Sequence, residues 1–202
     1  MVLLQAEACN SSLSLLPKGR TIPLAQKQGR TIVFIDESGL SQKPHRCRTW
    51  APRGQTPVLQ FNFNWKKLSA AAGITFHNFY FRLYPDAIRG PEVIDFLKAL
   101  VRHIQRPLLI VWDRLPAHRS ALVREFIALS QGHIETEYLP GYAPELNPVE
   151  YIWAYWKQHE LPNVCPNDYW ELDERARTTL RRMRRKRRLI AAFWKQSSLS
   201  FD

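Results

Sequence analysis

The chain of 202 residues lacks any apolar run long enough to cross a membrane, which excludes a helical span. Its N-terminus, Met1-Val2-Leu3-Leu4-Gln5-Ala6-Glu7, breaks its apolar stretch early and has no basic flank, so it does not read as a secretory signal. Cysteine is scarce: Cys9, Cys47 and Cys165 are odd in number, far apart, and form no Cys-x-x-Cys pair. That excludes a disulfide framework and a zinc pattern, and leaves reduced thiols in a cytoplasm as the expectation. No internal repeat occurs. Acids are missing altogether from one stretch: Arg175 to Arg188 contains nine Arg or Lys and no Asp or Glu.

That stretch carries most of the net charge of +11, since subtracting its nine charges leaves +2 for everything else. A near-neutral body with one strongly positive segment suits a polyanionic partner. Arg181, Arg182, Arg184, Arg185, Lys186, Arg187 and Arg188 are the candidate nucleic-acid contacts, with Phe193 and Trp194 just beyond them; the alternative is a merely solvated helix face. The hydrophobic share of 45%, with seven Trp and ten Phe, is ample for a packed core.

Residues 1–29, punctuated by Pro17, Gly19 and Pro23, read as a loose arm. The run Thr31-Ile32-Val33-Phe34-Ile35 reads as a buried strand that stops at the polar turn Asp36-Glu37-Ser38-Gly39. Arg48 to Pro52 reads as a short strand. Residues 67–76 and 78–83 read as a hairpin, although the alanines at 70–72 leave the first ambiguous with helix. Pro91-Glu92 opens a helix whose stripe runs through Val93, Phe96, Leu97, Leu100 and Ile104. Leu108 to Trp112 is a second buried strand ending in an acid, Asp113. A helix over about 118–130, an edge strand over 134–139, a proline-rich loop over 140–148 and a helix from Val149 follow. This order predicts an α/β fold, a mixed sheet with helices on its faces.

In such sheets ligand groups gather beyond the C-terminal ends of the strands. Two aspartates there repel one another unless a cation such as magnesium or manganese intervenes. Either acid alone could equally cap a turn. Glu150 has two readings: Asn147 is a good N-cap, Pro148 takes the first helical position, and Glu150 at the third could close a capping box or project into the strand-end mouth. Glu145 is its rival as third acid. Strand alternation turns Glu37 away from Asp36. His118, five residues past Asp113, either leans over the mouth or is structural.

Together, Phe34-Ile35-Asp36-Glu37-Ser38-Gly39, Val111-Trp112-Asp113 through Pro116-Ala117-His118, and Leu139 to Glu150 with its Tyr-x-Pro-Glu-Leu-Asn-Pro-x-Glu segment and Trp153 following resemble the bacterial insertion-sequence branch of the mariner-like DDE transposases. The stretch Thr49 to Gly54 is similar to that branch as well. The resemblance runs from about Thr31 to about Lys157, and the 36 residues between Asp113 and Glu150 are near what the family shows.

The resemblance implies a ribonuclease H-like fold and a catalytic triad of Asp36, Asp113 and Glu150. It implies two Mg2+ or Mn2+ ions, bridged by Asp36, for water attack on a phosphodiester and then strand transfer. It further implies DNA as partner (element ends and target), a homodimer in the synaptic complex, and a cytoplasmic, nucleoid-associated bacterial protein. The expected organisation is an arm over 1–29, a catalytic domain over 30–160 and a basic helical segment over 161–202. There are two departures. Arg114 follows the second aspartate where the family usually has Asn, and could pair with a catalytic carboxylate in competition with metal. Residues 1–29 are also too short for the helix-turn-helix modules of full-length relatives, so a catalytic half is expected. The rival readings are a catalytically disabled DNA-binding remnant and another ribonuclease H-like nuclease.

Overall fold

The computed structural model describes residues 21–61, 66–141, 143–197 and 199. A short helix α1 (Thr21–Lys27) leads into strand β1 (Thr31–Ser41), then β2 (Lys67–Ile74) and β3 (Phe79–Pro85). Helix α2 (Gly90–Ile104), strand β4 (Leu108–Trp112), helix α3 (Ala121–Leu129) and strand β5 (Ile134–Tyr138) follow. Helix α4 (Pro148–Tyr155) runs on as a π-helical turn (Trp156–Glu160), and α5 (Tyr169–Arg184) and α6 (Arg187–Gln196) end the described chain. Of the arm expected over 1–29, residues 1–20 lie outside the described residues.

The five strands form one mixed sheet in the order β3-β2-β1-β4-β5. The pairs β1–β2 and β2–β3 are antiparallel, and β1–β4 and β4–β5 are parallel. The expected hairpin, the edge position of the strand after α3 and the mixed sheet are all present. The alanines at 70–72 sit in β2, in the strand reading, because their small side chains are buried between neighbouring strands and both helical layers.

Alternation along the strands divides the core in two. Ile32, Phe34, Leu109 and Val111 face α4, α5 and α6. Val33, Ile35, Ile110 and Trp112 face α2 and α3. On that second face Gly73 is packed so closely that a Cβ there would lie 3.0 Å from the Val33 side chain. The α2 stripe is buried as its spacing predicts, at Val93, Phe96, Leu97 and Leu100.

Three sequence expectations need correction. Strand β1 does not stop at a polar turn: it continues through Asp36, Glu37 and Ser38 to Ser41, because β2 pairs with it along that whole length, Asp36 opposite Ala72. Residues 48–52 are not a strand but an irregular, exposed segment in which Trp50 is fully accessible. Phe193 and Trp194 are not free aromatics beside the basic run. Both are buried; the Trp194 indole packs on Phe34 and Phe76 and donates to the Thr75 carbonyl at 2.9 Å.

Candidate active site

The parallel register pairs Phe34 with Val111 as its last partners, and Asp36 and Asp113 each follow two residues beyond that pair. Asp36 has the parity of the face covered by α4, α5 and α6, whereas Asp113, just past the end of β4, turns its carboxyl to His118. Strand β4 ends at Trp112, and that early end opens the mouth beside the still-continuing β1. Helix α4 starts on the same side. Its cap is Asn147, whose side chain accepts the Val149 N–H at 3.2 Å, with Pro148 at the first position. The capping-box alternative for Glu150 is not what forms, since the Asn147 N–H donates to the Pro144 carbonyl at 2.9 Å instead. Glu150 is left exposed on the first turn of α4.

Asp36 is buried, with 9% exposure, and its Oδ2 accepts the Trp153 indole N–H at 2.7 Å. Burial first, then the negative charge of Glu150, and further the charges of Glu37 and Asp113, push its carboxyl up to about 8 against the lowering effect of the Trp153 bond. Asp36 thus feels both other acids of the expected triad. Glu145 does not figure among those influences. It sits exposed in the Pro144–Leu146 turn, where its backbone carbonyl accepts the Tyr151 hydroxyl at 3.4 Å.

Asp113 is held differently. Its Oδ1 accepts the Leu115 backbone N–H at 3.0 Å and faces His118 Nδ1 at 2.9 Å. Burial alone would raise this carboxyl, but the His118 and Leu115 hydrogen bonds outweigh it and hold it below the usual value. The His118 ring is fully buried, stacks on Trp112 with centroids 4.3 Å apart, and donates through Nε2 to Glu37 Oε1 at 2.8 Å. Desolvation works against its charge, yet the bonds to Asp113 and Glu37 raise it to about 9.

Arg114 is exposed and lies over the Tyr138 ring, 5.9 Å from its centroid; among the described residues it makes no ion pair with Asp36, Asp113 or Glu150. Of the basic run, Arg182 and Lys186 both pair with the nearly buried Glu160, and Arg184 lies over Phe81. Arg181, Arg185, Arg187 and Arg188 are exposed.

Sequence reading placed Glu37 on the opposite face from Asp36 but missed what it meets there. Trp153 carried a readable signal, lying three residues after Glu150 on one helical face.

The donor chemistry fits a hard divalent cation: all three candidates are carboxylates, and Asp36 is buried and raised by the negative charges of Glu150, Glu37 and Asp113. Among the described residues no three His, Cys, Asp or Glu side chains already form a metal-holding cage. Nor is any described helix long and apolar enough to cross a membrane.

The family profile described as DDE superfamily endonuclease matches residues 31–172. Among solved structures, a Mos1 transposase paired-end complex with left transposon end is 18% identical over 96% of this chain and 59% of that one, with a TM-score of 0.64. A mariner Mos1 paired-end complex with Mg is 16% identical over 97% and 64%, with a TM-score of 0.61. The Mos1 strand transfer complex is 18% identical over 97% and 62%, with a TM-score of 0.54. The chain therefore spans about three-fifths of the length of these proteins and shares their ribonuclease H-like fold. No curated protein matches it in sequence.

Proposed function

We propose that this chain, which belongs to the DDE superfamily endonucleases, is the catalytic part of a transposase that cuts DNA at element ends and joins them to a target. The observation that carries the reading is the buried Asp36 of β1, held at 2.7 Å by Trp153 of the helix that bears Glu150, with Asp113 just past the end of the neighbouring β4. Asp36, Asp113 and Glu150 are the residues that would hold divalent metal. The mariner Mos1 structures determined with Mg and with Mn favour that ion class. Two such ions would supply an activated water and charge stabilisation at the leaving 3′ oxygen.

The chain's own residues prepare the site. Trp153 fixes one oxygen of Asp36, and His118 and Leu115 fix one oxygen of Asp113. Asn147 starts α4 so that Glu150 projects from its first turn. Arg181, Arg185, Arg187 and Arg188 would meet phosphates, adding affinity without base specificity. Two copies, one for each element end, are the expected synaptic unit. The finer placement in the bacterial insertion-sequence branch, with a nucleoid-associated protein, rests on the Tyr142 to Glu150 segment. Arg114, standing where the family usually has Asn, is the feature that favours the disabled-remnant reading, and metal binding by the purified chain separates the two; its guanidinium lies over Tyr138.

The test is manganese-dependent nicking of supercoiled plasmid, followed by strand transfer from a precut end. Nicking that Asp113→Ala reduces by three or more orders of magnitude, about 4 kcal/mol or more of barrier, supports a metal nuclease. Nicking without strand transfer would point to another nuclease of this fold. Equal nicking by both proteins would remove Asp113 from the chemistry.

A further inference from the structure

Glu37 and His118 take no part in the proposed metal set, yet they form a linked polar arrangement that ends on one of its acids. His118 is fully buried and held on three sides. Trp112 stacks on its ring at an interplanar angle of 8°, which fixes the ring plane. Nε2 donates to Glu37 Oε1 at 2.8 Å, 81 residues away in sequence. Nδ1 faces Asp113 Oδ1 at 2.9 Å and the Asp113 carbonyl at 3.3 Å. An imidazole between two carboxylate oxygens donates at both nitrogens, so its orientation is set from both ends.

The consequence falls on Asp113. Its Oδ1 is tied by His118 and by the Leu115 N–H. Those two bonds engage Oδ1 and leave Oδ2 for another partner. A carboxylate with one oxygen pinned and the other open offers a single, preset donor to a cation. The Glu37 side chain reaches this position because β1 runs on past Asp36, so that the residue after the first acid takes the face of Trp112, on which His118 stacks.

We propose that His118, braced by Glu37, is a positioning residue for Asp113, fixing Oδ1 so that Oδ2 is the oxygen presented to the divalent ion. This rests on the reading of Asp113 as a metal-holding acid. A histidine that only filled the core would support folding but leave metal affinity unchanged. Removing a group that orients a ligand weakens metal binding by about 10–100-fold.

The test measures Mn2+ affinity of the purified chain directly, by loss of the free-ion electron paramagnetic resonance signal, alongside plasmid nicking and thermal melting. His118→Ala is expected to raise the Mn2+ dissociation constant by about 10–100-fold. Should His118→Ala fail to fold, Glu37→Ala leaves the ring in place and removes only its brace. It should weaken Mn2+ binding several-fold, and Glu37→Gln, which keeps an acceptor oxygen, should restore most of it. Wild-type Mn2+ affinity in folded His118→Ala, or in Glu37→Ala, overturns the positioning role while leaving the metal site intact. Absence of Mn2+ binding in the wild type, with Asp113→Ala indistinguishable from it, overturns the metal-site reading and this proposal with it.

Discussion

Asp36 carries a conflict that a neutral residue in its place would not. Its carboxyl has an ordinary value of 3.8 and is pushed to about 8 in the fold, by burial first and then by Glu150. The folded state therefore holds the proton more tightly than the unfolded chain. The stability this contributes is complete below the unfolded value of 3.8 and is lost as the pH rises through about 8. His118 acts in the same sense, its contribution present below 6.5 and lost through about 9. Asp113, held low, contributes in the opposite sense, above its ordinary 3.8, and loses that contribution only as the pH falls into the acid range. The metal-free protein should thus show a melting temperature that falls from about pH 4, where Asp36 begins to contribute less, to about pH 9, where His118 has lost its share. Mn2+ should restore it most at the alkaline end, where Asp36 is charged. Asp36→Asn keeps an acceptor for Trp153, removes the Asp36 share of this slope while leaving that of His118, and abolishes nicking. A flat wild-type profile would show that Asp36 is not strained by its neighbours. The two aspartates were legible because each closes a run of five mostly apolar residues. Their partners were not, since Trp153 is 117 residues from Asp36 and Glu37 is 81 from His118. Alternation says which face a residue takes, not what waits across it.

At the level of elements, the site arises from a mismatch in strand length. β1 has 11 residues and β4 has five, so the mouth lies where the parallel pairing ends and not where β1 ends. Local sequence could not show this. Asp36-Glu37-Ser38-Gly39 has turn composition, but pairing with β2 supplies backbone hydrogen bonds and the two buried faces accommodate the side chains. By contrast, the start of α4 was legible to the residue. Asn147, Pro148 and Glu150 occupy their expected positions, although Glu150 does not close the box. Because that cap sets where the first turn begins, Asn147→Ala should cost about 1 kcal/mol of stability, read from the urea midpoint. It should also reduce nicking beyond what the stability loss explains, since Glu150 is two positions inside the helix. Asn147→Asp, which caps equally well, should retain stability. If Asn147→Ala loses stability but no activity, the first turn of α4 does not have to be fixed for Glu150 to work.

Across the whole molecule, the basic run is legible as a sum but not as a surface. Nine positive side chains lie between Arg175 and Arg188. Arg175 and Arg177 pair with Glu171 and Asp173 one turn back along α5. Arg182 and Lys186 converge on Glu160, which the π-helical turn after α4 holds at 4% side-chain exposure. No spacing rule links Glu160 to residues 22 and 26 positions on. The aromatics that would have made a stacking platform are buried in the core. What remains toward solvent is Arg181, Arg185, Arg187 and Arg188, with Arg184 over Phe81. These two groups should separate in a salt titration of binding to a random duplex. Alanine at Arg181, Arg185, Arg187 or Arg188, one at a time, should reduce the slope of log K against log salt by about 0.9 for each phosphate no longer neutralised. Alanine at Arg182 or Lys186 should leave the slope near wild type and lower the melting temperature, because it deprives a shielded Glu160 of one of its two partners. If Arg182→Ala lowers the slope as much as Arg185→Ala does, the Glu160 pair opens when DNA binds, and Glu160 then competes with phosphate for that arginine instead of fixing it in the fold.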